Sequence, residues 1–309
     1  MSTTTQESVH TVKSAVDITT KQVHIARRKR ERRNFRTRPT VSAVIPTLNE
    51  EKNLPHVFER LPQGVNELII VDGHSTDETI DVARTLRPDA RIVLQDRKGK
   101  GNALACGFAA AGGDILVMVD ADGSTDPAEI PNFIRPLIHG ADFVKGSRYM
   151  DGGGSSDITP LRSAGNRVLG TAVNVLFGTR YTDLCYGYNA FWRRCLPHLY
   201  ITCDGFEVET ILNLRAAKAG FQIAEVPSFE RDRIYGTSNL NAWRDGKRVL
   251  KAIMQERFSR LPEPSDAWMP AWDELGGDEG AELRHLPVIG ESTRQRQAFV
   301  PAEPSIVAV

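Results

Sequence analysis

The chain has 309 residues, 40% hydrophobic and 25% charged, with 39 basic and 39 acidic side chains. This composition predicts a soluble globular protein with a sizeable core, and its zero net charge gives no reason to expect a nucleic-acid partner. Apolar runs such as residues 115–119 are strand length, far short of the ~20 residues that cross a bilayer, and the polar start lacks a signal peptide's apolar core. The four cysteines never fall as C-x-x-C, so reduced thiols in a cytoplasmic protein are expected rather than a zinc site or a disulfide framework.

In chain order, residues 1–40 read as a polar tail. Residues 27–38 carry eight bases and one acid. Such a run can touch anionic lipid, but no apolar helical face accompanies it, and a solvated tail is the simpler expectation. Residues 41–45 read as a buried strand stopped by Pro46, and 50–61 as a helix. Residues 67–71 form a second strand ending on Asp72. Ser75 followed by Glu78 matches a capping box and opens a helix to about Leu86. A third strand at 91–94, an alanine-rich helix at 101–111 and a fourth strand at 115–119 follow. Pro127 starts another helix, and residues 141–145 close the series. Gly152, Gly153 and Gly154 read as a mobile loop. Residues 206–219 read as a helix, and 243–258 as an amphipathic one that packs on the body or rests on a membrane. The acidic, proline-containing stretch 261–309 reads as a second polar tail.

Continuous apolar strands separated by helices predict an α/β fold, a mostly parallel sheet covered by helices within one domain at 41–260. Ligands of such sheets bind at the carboxyl ends of the strands. That directs attention to residues 46–50, 72–77, 96–100 and 120–126, all polar and acid-rich.

The sharpest chemical feature is DADGS at 120–124. Two carboxylates leaving a buried strand one residue apart can converge on Mg²⁺ or Mn²⁺, which keep waters and bridge to substrate phosphates; Asp120, Asp122 and Ser124 are the candidate ligands. An EF-hand reading fails, because its sixth and twelfth positions hold Thr125 and Pro131 rather than Gly and Glu. A capping role for Ser124 or Asp126 before Pro127 accounts for only one carboxylate. A dinucleotide-binding reading of Gly99 and Gly101 fails at Leu104, where close helix–sheet packing demands Gly or Ala.

Residues 44–50 (VIPTLNE), 70–77 (IVDGHSTD), 99–103 (GKGNA) and 119–122 (VDAD) together resemble the family 2 glycosyltransferases of the GT-A fold. Downstream, 146–149 (GSRY), 183–188 (DLCYGY), 206–209 (FEVE) and 233–238 (RIYGTS) are similar to the dolichol-phosphate mannose synthase branch. The resemblance spans about 41–260. It implies inverting transfer of a hexose from a GDP- or UDP-sugar, with Mg²⁺ or Mn²⁺, to a polyprenyl phosphate; a hydroxyl of a soluble or glycan acceptor is the alternative. A non-catalytic nucleotide-sugar-binding protein and a dinucleotide-dependent oxidoreductase rank below both.

Carried over position by position, the resemblance puts Pro46, Asn49 and Glu50 beside the nucleotide and Asp72 on its base or ribose. Gly73 replaces the second Asp usual there, with His74 next to it. Lys100 and its glycine neighbours would lie near the donor phosphates, and Asp122 would ligate the metal directly. Arg148, Arg162 and Arg233 would grip a donor or acceptor phosphate. A lipid phosphate attacks without losing a proton, whereas a hydroxyl wants a base, for which Asp183 and Glu209 are the candidates and Glu207 ranks lower. Two departures bear on the lipid acceptor: Asn239 stands where the branch has Lys, and no transmembrane segment follows. The resemblance and the missing signal imply a cytoplasmic enzyme, with contact at the cytoplasmic membrane face left open.

Overall fold

Strand β1 (Val41–Thr47) is the axis of a seven-stranded sheet and is buried at every position but Pro46. Its parallel neighbours are β2 (Glu67–Asp72) on one side and β4 (Ile115–Met118) on the other, with β3 (Arg91–Leu94) outside β2. Pairing with β4 ends at Val44–Met118, before Pro46, which has no N–H for a ladder bond. Beyond β4 comes β7 (Asn189–Trp192), antiparallel to β4 and to β5 (Phe143–Ser147), and then β8 (Ile223–Pro227), parallel to β5. The order β3-β2-β1-β4-β7-β5-β8 is therefore parallel except at β7.

The computed structural model describes residues 38–236 and 242–260, all within one compact unit. Most of both expected tails, together with Thr237, Ser238, Asn239 and the Trp243 side chain, lie outside the described residues. Among the described residues, seven helices accompany the sheet: α1 (Leu54–Glu59), α2 (Thr79–Leu86), α3 (Lys100–Ala110), α4 (Ile130–Ile138), α5 (Pro160–Phe177), α6 (Val208–Lys218) and α7 (Ala242–Phe258). The main core gathers the near-continuous apolar residues of the central strands. A second cluster joins α5, α6 and α7 through Val173, Leu214, Val249 and Ile253. Burial of Val249 and Ile253 contributes about 1.5–3 kcal/mol each to holding α7 on the body. The Glu256 carboxylate adds bonds to Arg215 and Lys218, each 2.8 Å long.

Several expected boundaries move for local reasons. The first helix begins at Leu54, not Glu50, because residues 50–53 make a turn in which Glu50 O accepts from Asn53 N and Leu54 N. The Ser75–Glu78 capping box does not form. Ser75 donates to Asp72, Glu78 N–H turns to Glu51, and α2 starts at Thr79, whose N–H is taken by Asp77. Pro127 opens a three-residue 3-10 turn capped by Asp126, with α4 following from Ile130. The strand expected at 141–145 runs two residues later. The glycine segment 152–154 is no free loop: β6 (Gly154–Ser155) pairs with β9 (Phe229–Glu230), and the Ser155 hydroxyl donates to Glu230.

Candidate active site

A cavity of about 1060 Å³ opens at the carboxyl ends of β1 and β4, where the chain leaves the central strand in opposite directions, and extends to α5 and α7. Pro46, Glu50, Lys100, Asp120, Asp122 and Ser124 line it at the strand ends. Lys100 leaves the first turn of α3, flanked by glycines for a packing reason. A Cβ on Gly99 or Gly101 would lie 2.1 and 2.3 Å from the carbonyl oxygens of Asp204 and Cys203, so only glycine lets residues 203–204 cross this helix end.

Carboxylates and cations alternate across the floor. The Lys100 ammonium lies 2.6 Å from Asp120 and 2.7 Å from Glu209. Burial opposes the Lys100 charge, but the two carboxylates outweigh it and hold the group protonated well above its usual range. Burial, reinforced by Asp120, pushes Glu209 up, with Lys100 pulling the other way. A Cβ on Gly187 would come within 2.3 Å of Glu209, so a bare backbone faces this pair. Beside it, Arg233 lies 2.7 Å from Asp122 and 3.6 Å from Glu50. Burial raises the Glu50 pKa, the Asn53 bond opposes this, and Asp122 adds to it. Backbone bonds from Arg231 to Ser124 and from Ile234 to Asp122 lay the Arg233 segment along the 122–124 turn.

Asp120, Asp122 and Glu50 are hard oxygen donors, and the charge facing them here belongs to Lys100 and Arg233. That donor set suits Mg²⁺ or Mn²⁺. Among the described residues no three acidic, imidazole or thiol groups form a cage of their own. An ion held by two strand-end carboxylates keeps positions for water and for phosphate oxygens. Ser124 donates its N–H to Asp122 and also lines the cavity.

A second ion-pair group lies deeper. Arg148 grips Asp183 through Nε and Nη2 at 2.7 and 3.0 Å and reaches Glu230 through Nη1 at 2.9 Å. Burial alone would raise Asp183; the Arg148 bonds outweigh it and hold the carboxyl below its usual range. Arg162, on the cavity wall, pairs with Asp157 at 2.9 Å.

Of the residues singled out in sequence, Asn49, Asp72, His74, Asp183 and Glu207 do not line the cavity. Asp72 is fully buried, both oxygens accepting from Ser75, so the side chain expected on the base or ribose instead shapes the β2 exit. Asn49 works from behind: it takes up a left-handed φ of 58° and accepts from Thr76 N–H. His74, at φ 64°, bonds the Gln95 carbonyl, and Gly73 and Gln95 are the groups presented to the cavity.

Sequence reading missed Glu230, the third member of the Arg148 group, and Lys145. The latter is fully buried on β5, donates to the Tyr186 carbonyl and has its pKa lowered by burial. It also missed Asn166, whose Oδ1 accepts from Cys185 while its buried Nδ2 has no partner among the described residues. Spacing offers one signal here, since Asn166 is four residues from Arg162 on the same helix face.

Residues 42–199 match the profile of glycosyl transferase family 2. Glycosyltransferase AglJ of Haloferax volcanii is 30% identical over 230 residues, covering 72% of this chain and 75% of the relative. A glycosyltransferase of Mycobacterium tuberculosis is 43% identical over 108 residues, and that match spans about half of the relative, 48%. Glucosyl-3-phosphoglycerate synthase from Mycobacterium tuberculosis, solved with Mn²⁺, UDP and phosphoglyceric acid, superposes with a TM-score of 0.59 at 26% identity, over 73% of this chain and 80% of that one. The same enzyme solved with Mg²⁺ and UDP superposes with a TM-score of 0.58, again at 26% identity. The sheet order, the acidic strand ends and these similarities converge: the chain is a glycosyltransferase of the GT-A fold and belongs to glycosyl transferase family 2.

Proposed function

We propose that this glycosyltransferase is metal-dependent and inverting, and that it moves a hexose from a nucleotide diphospho-sugar to a polyprenyl phosphate. The observation that carries the acceptor is the state of the two candidate bases. Asp183 is locked to Arg148 and Glu209 to Lys100, so neither is free to take a proton from a hydroxyl. A lipid phosphate arrives ionised and needs no base.

Pro46, Gly73 and Gln95 border the nucleoside. Asp120 and Asp122 would hold Mg²⁺ or Mn²⁺, with Glu50 beside them, and the ion, when bound, would supply Lewis-acid stabilisation to the departing diphosphate. Complexes of the glucosyl-3-phosphoglycerate synthase with UDP-glucose and Mn²⁺ support that assignment of donor and ion. Lys100 and Arg233 neutralise the carboxylates in the free enzyme; Arg233 turns to phosphate oxygens when donor enters, while Lys100 stays bonded to Glu209. An acceptor phosphate oxygen forms a bond to the anomeric carbon from the face opposite the diphosphate. The bond from that carbon to the diphosphate oxygen breaks, and the nucleoside diphosphate leaves with the electron pair. Arg162 and the spare Asn166 amide stand on the acceptor side of the cavity. Arg148, neutralised by its acids, positions that wall rather than binding phosphate.

The test is transfer by purified protein with Mn²⁺ or Mg²⁺, a panel of UDP- and GDP-sugars, and polyprenyl phosphate. Metal-dependent lipid-linked sugar, abolished by Asp122→Ala, is the expected result. Transfer only to a hydroxyl acceptor such as phosphoglyceric acid would overturn the acceptor assignment and return Glu209 to the role of base.

A further inference from the structure

The cavity opens onto a surface that the reaction itself does not explain. Along α5, Leu161, Val168 and Val175 recur every seven residues and are 58%, 70% and 79% exposed. That spacing keeps them on one side of the helix, with a drift of only ~20° per repeat. Gly165 between them meets no atom within 4 Å of where its Cβ would stand. On α7, Leu250, Met254 and Phe258 recur every four residues and are 49%, 44% and 79% exposed. The two helices pack against each other through Val173, Val249 and Ile253, and their exposed rows meet at the cavity mouth. Leu161, Val168 and Leu250 belong to both: they line the cavity and they are exposed. The apolar surface is therefore continuous with the mouth of the active site.

Charge on the two helices is mainly basic, although Asp157, paired with Arg162, and Asp232 stand at the cavity mouth. α5 contains no acidic residue, and its charged side chains are Arg162 and Arg167. α7 has two acids, and both are buried: Asp245 near the cavity and Glu256 against Arg215 and Lys218. Its exposed charges from Arg244 onward are Arg244, Lys247, Arg248, Lys251 and Arg257. Apolar rows on helices whose exposed charges are basic match an anionic bilayer, whose headgroups take the cations while the acyl boundary takes the apolar side chains. No helix among the described residues is long and apolar enough to cross a membrane, so these two would lie in the interface plane.

We propose that the exposed face of α5 and α7 docks this enzyme on an anionic phospholipid surface, setting the cavity mouth at headgroup level. The proposal rests on the lipid-acceptor reading for its purpose, although the surface is defined independently of it. A polyprenyl chain would stay in the bilayer while its phosphate enters between Leu161 and Leu250, where Lys247 and Arg248 line the opening. Val175 and Phe258 lie outside the cavity and serve the surface alone.

Flotation of the full chain with vesicles tests this without donor or acceptor. Expected is binding to vesicles of phosphatidylcholine with 30% phosphatidylglycerol, weak binding to phosphatidylcholine alone, and a fall in binding with salt. Val175→Asp with Phe258→Asp should reduce partitioning by about tenfold or more while transfer in detergent is unchanged. Absence of binding to the anionic vesicles at low salt would overturn the proposal. So would binding that the double substitution leaves intact, which would assign it to the basic segment 27–38. A dimer in sedimentation, dissociated by the same substitutions, would overturn it in favour of a second copy on this face. Vesicle binding without any lipid-linked product would retain the docking face and reject the lipid acceptor; product in detergent without vesicle binding would do the reverse.

Discussion

The Lys100 ammonium lies 2.7 Å from Glu209 Oε1 across 109 residues of chain, and 2.6 Å from Asp120 on its other side. One cation therefore serves a strand-end carboxylate and a helix carboxylate together. Under the proposed reaction Glu209 holds Lys100 in place and takes no proton. Glu209→Gln keeps an oxygen acceptor for Lys100 and should lower kcat/KM for polyprenyl phosphate by about tenfold or less. A group acting as general base contributes about 10²–10⁴-fold. Steady-state kinetics of the Gln and Ala variants checks this, and a loss with Gln as large as with Ala would restore the base.

Asp122→Asn removes an anionic donor from the strand end and should lower metal-dependent transfer by about 10²–10³-fold, the size of loss seen when a transition-state charge loses its partner. Among the described residues the carboxylate, at the cleft, pairs with Arg233 and the Ser124 N–H, so the melting temperature should change little. Transfer assays with added Mn²⁺ and thermal denaturation separate the two effects.

Arg233→Ala should split donor and metal. Without the guanidinium, Asp122 and Glu50 face each other unshielded, and apparent Mn²⁺ affinity in the absence of donor should rise severalfold. Affinity for the nucleotide sugar should fall, because the same cation is expected on its phosphates. Calorimetric titration of metal alone and of donor with saturating metal reads both signs.

The Arg148 group predicts stability and its pH dependence. Arg148→Ala strands Asp183 and Glu230 as buried charges and should cost about 3–5 kcal/mol. The Asp183 pKa is lowered in the folded state, so its contribution is fully present above the unfolded value of ~3.9 and is lost as pH falls through the lower folded value. The difference in unfolding free energy between the native chain and Asp183→Asn should therefore be constant near neutrality and narrow below pH ~4. Denaturant unfolding across pH 2–7 measures it.

What could be read from the sequence was what a short stretch contains by itself. Asp120 and Asp122 were legible because a buried strand and its exit occupy ten residues, and alternate carboxylates after such a strand have few uses. Asp72 looked equivalent, yet Ser75 three residues later satisfies both of its oxygens and withdraws it. Neither neighbour alone tells a ligand-facing carboxylate from one that holds a turn. The sequence marks Arg148 as a phosphate-binding candidate but does not show it neutralised, since its partners lie 35 and 82 residues away. Asp183 arrives because β7 reverses direction, and Glu230 because it follows the trailing end of β8, which is parallel to β5. The mobile loop expected at 152–154 failed for the same reason: its partner strand, β9, is two residues long and carries no periodic pattern of its own.

The reversal at β7 also divides the labour along the chain. Parallel strands deliver their trailing ends to the cleft, so residues 41–126 bring Pro46, Glu50, Lys100, Asp120 and Asp122 to it. An antiparallel strand delivers its leading end, so residues 183–188 reach the same cleft just before β7 begins. Apart from Arg233, which reaches back to Asp122, the segments after β5 wall the other half of the cavity. Under the proposed function, exchanging the segments downstream of residue 148 would alter the acceptor half and leave residues 41–126 in place, provided Glu209 and Arg233 are kept to hold Lys100 and Asp122.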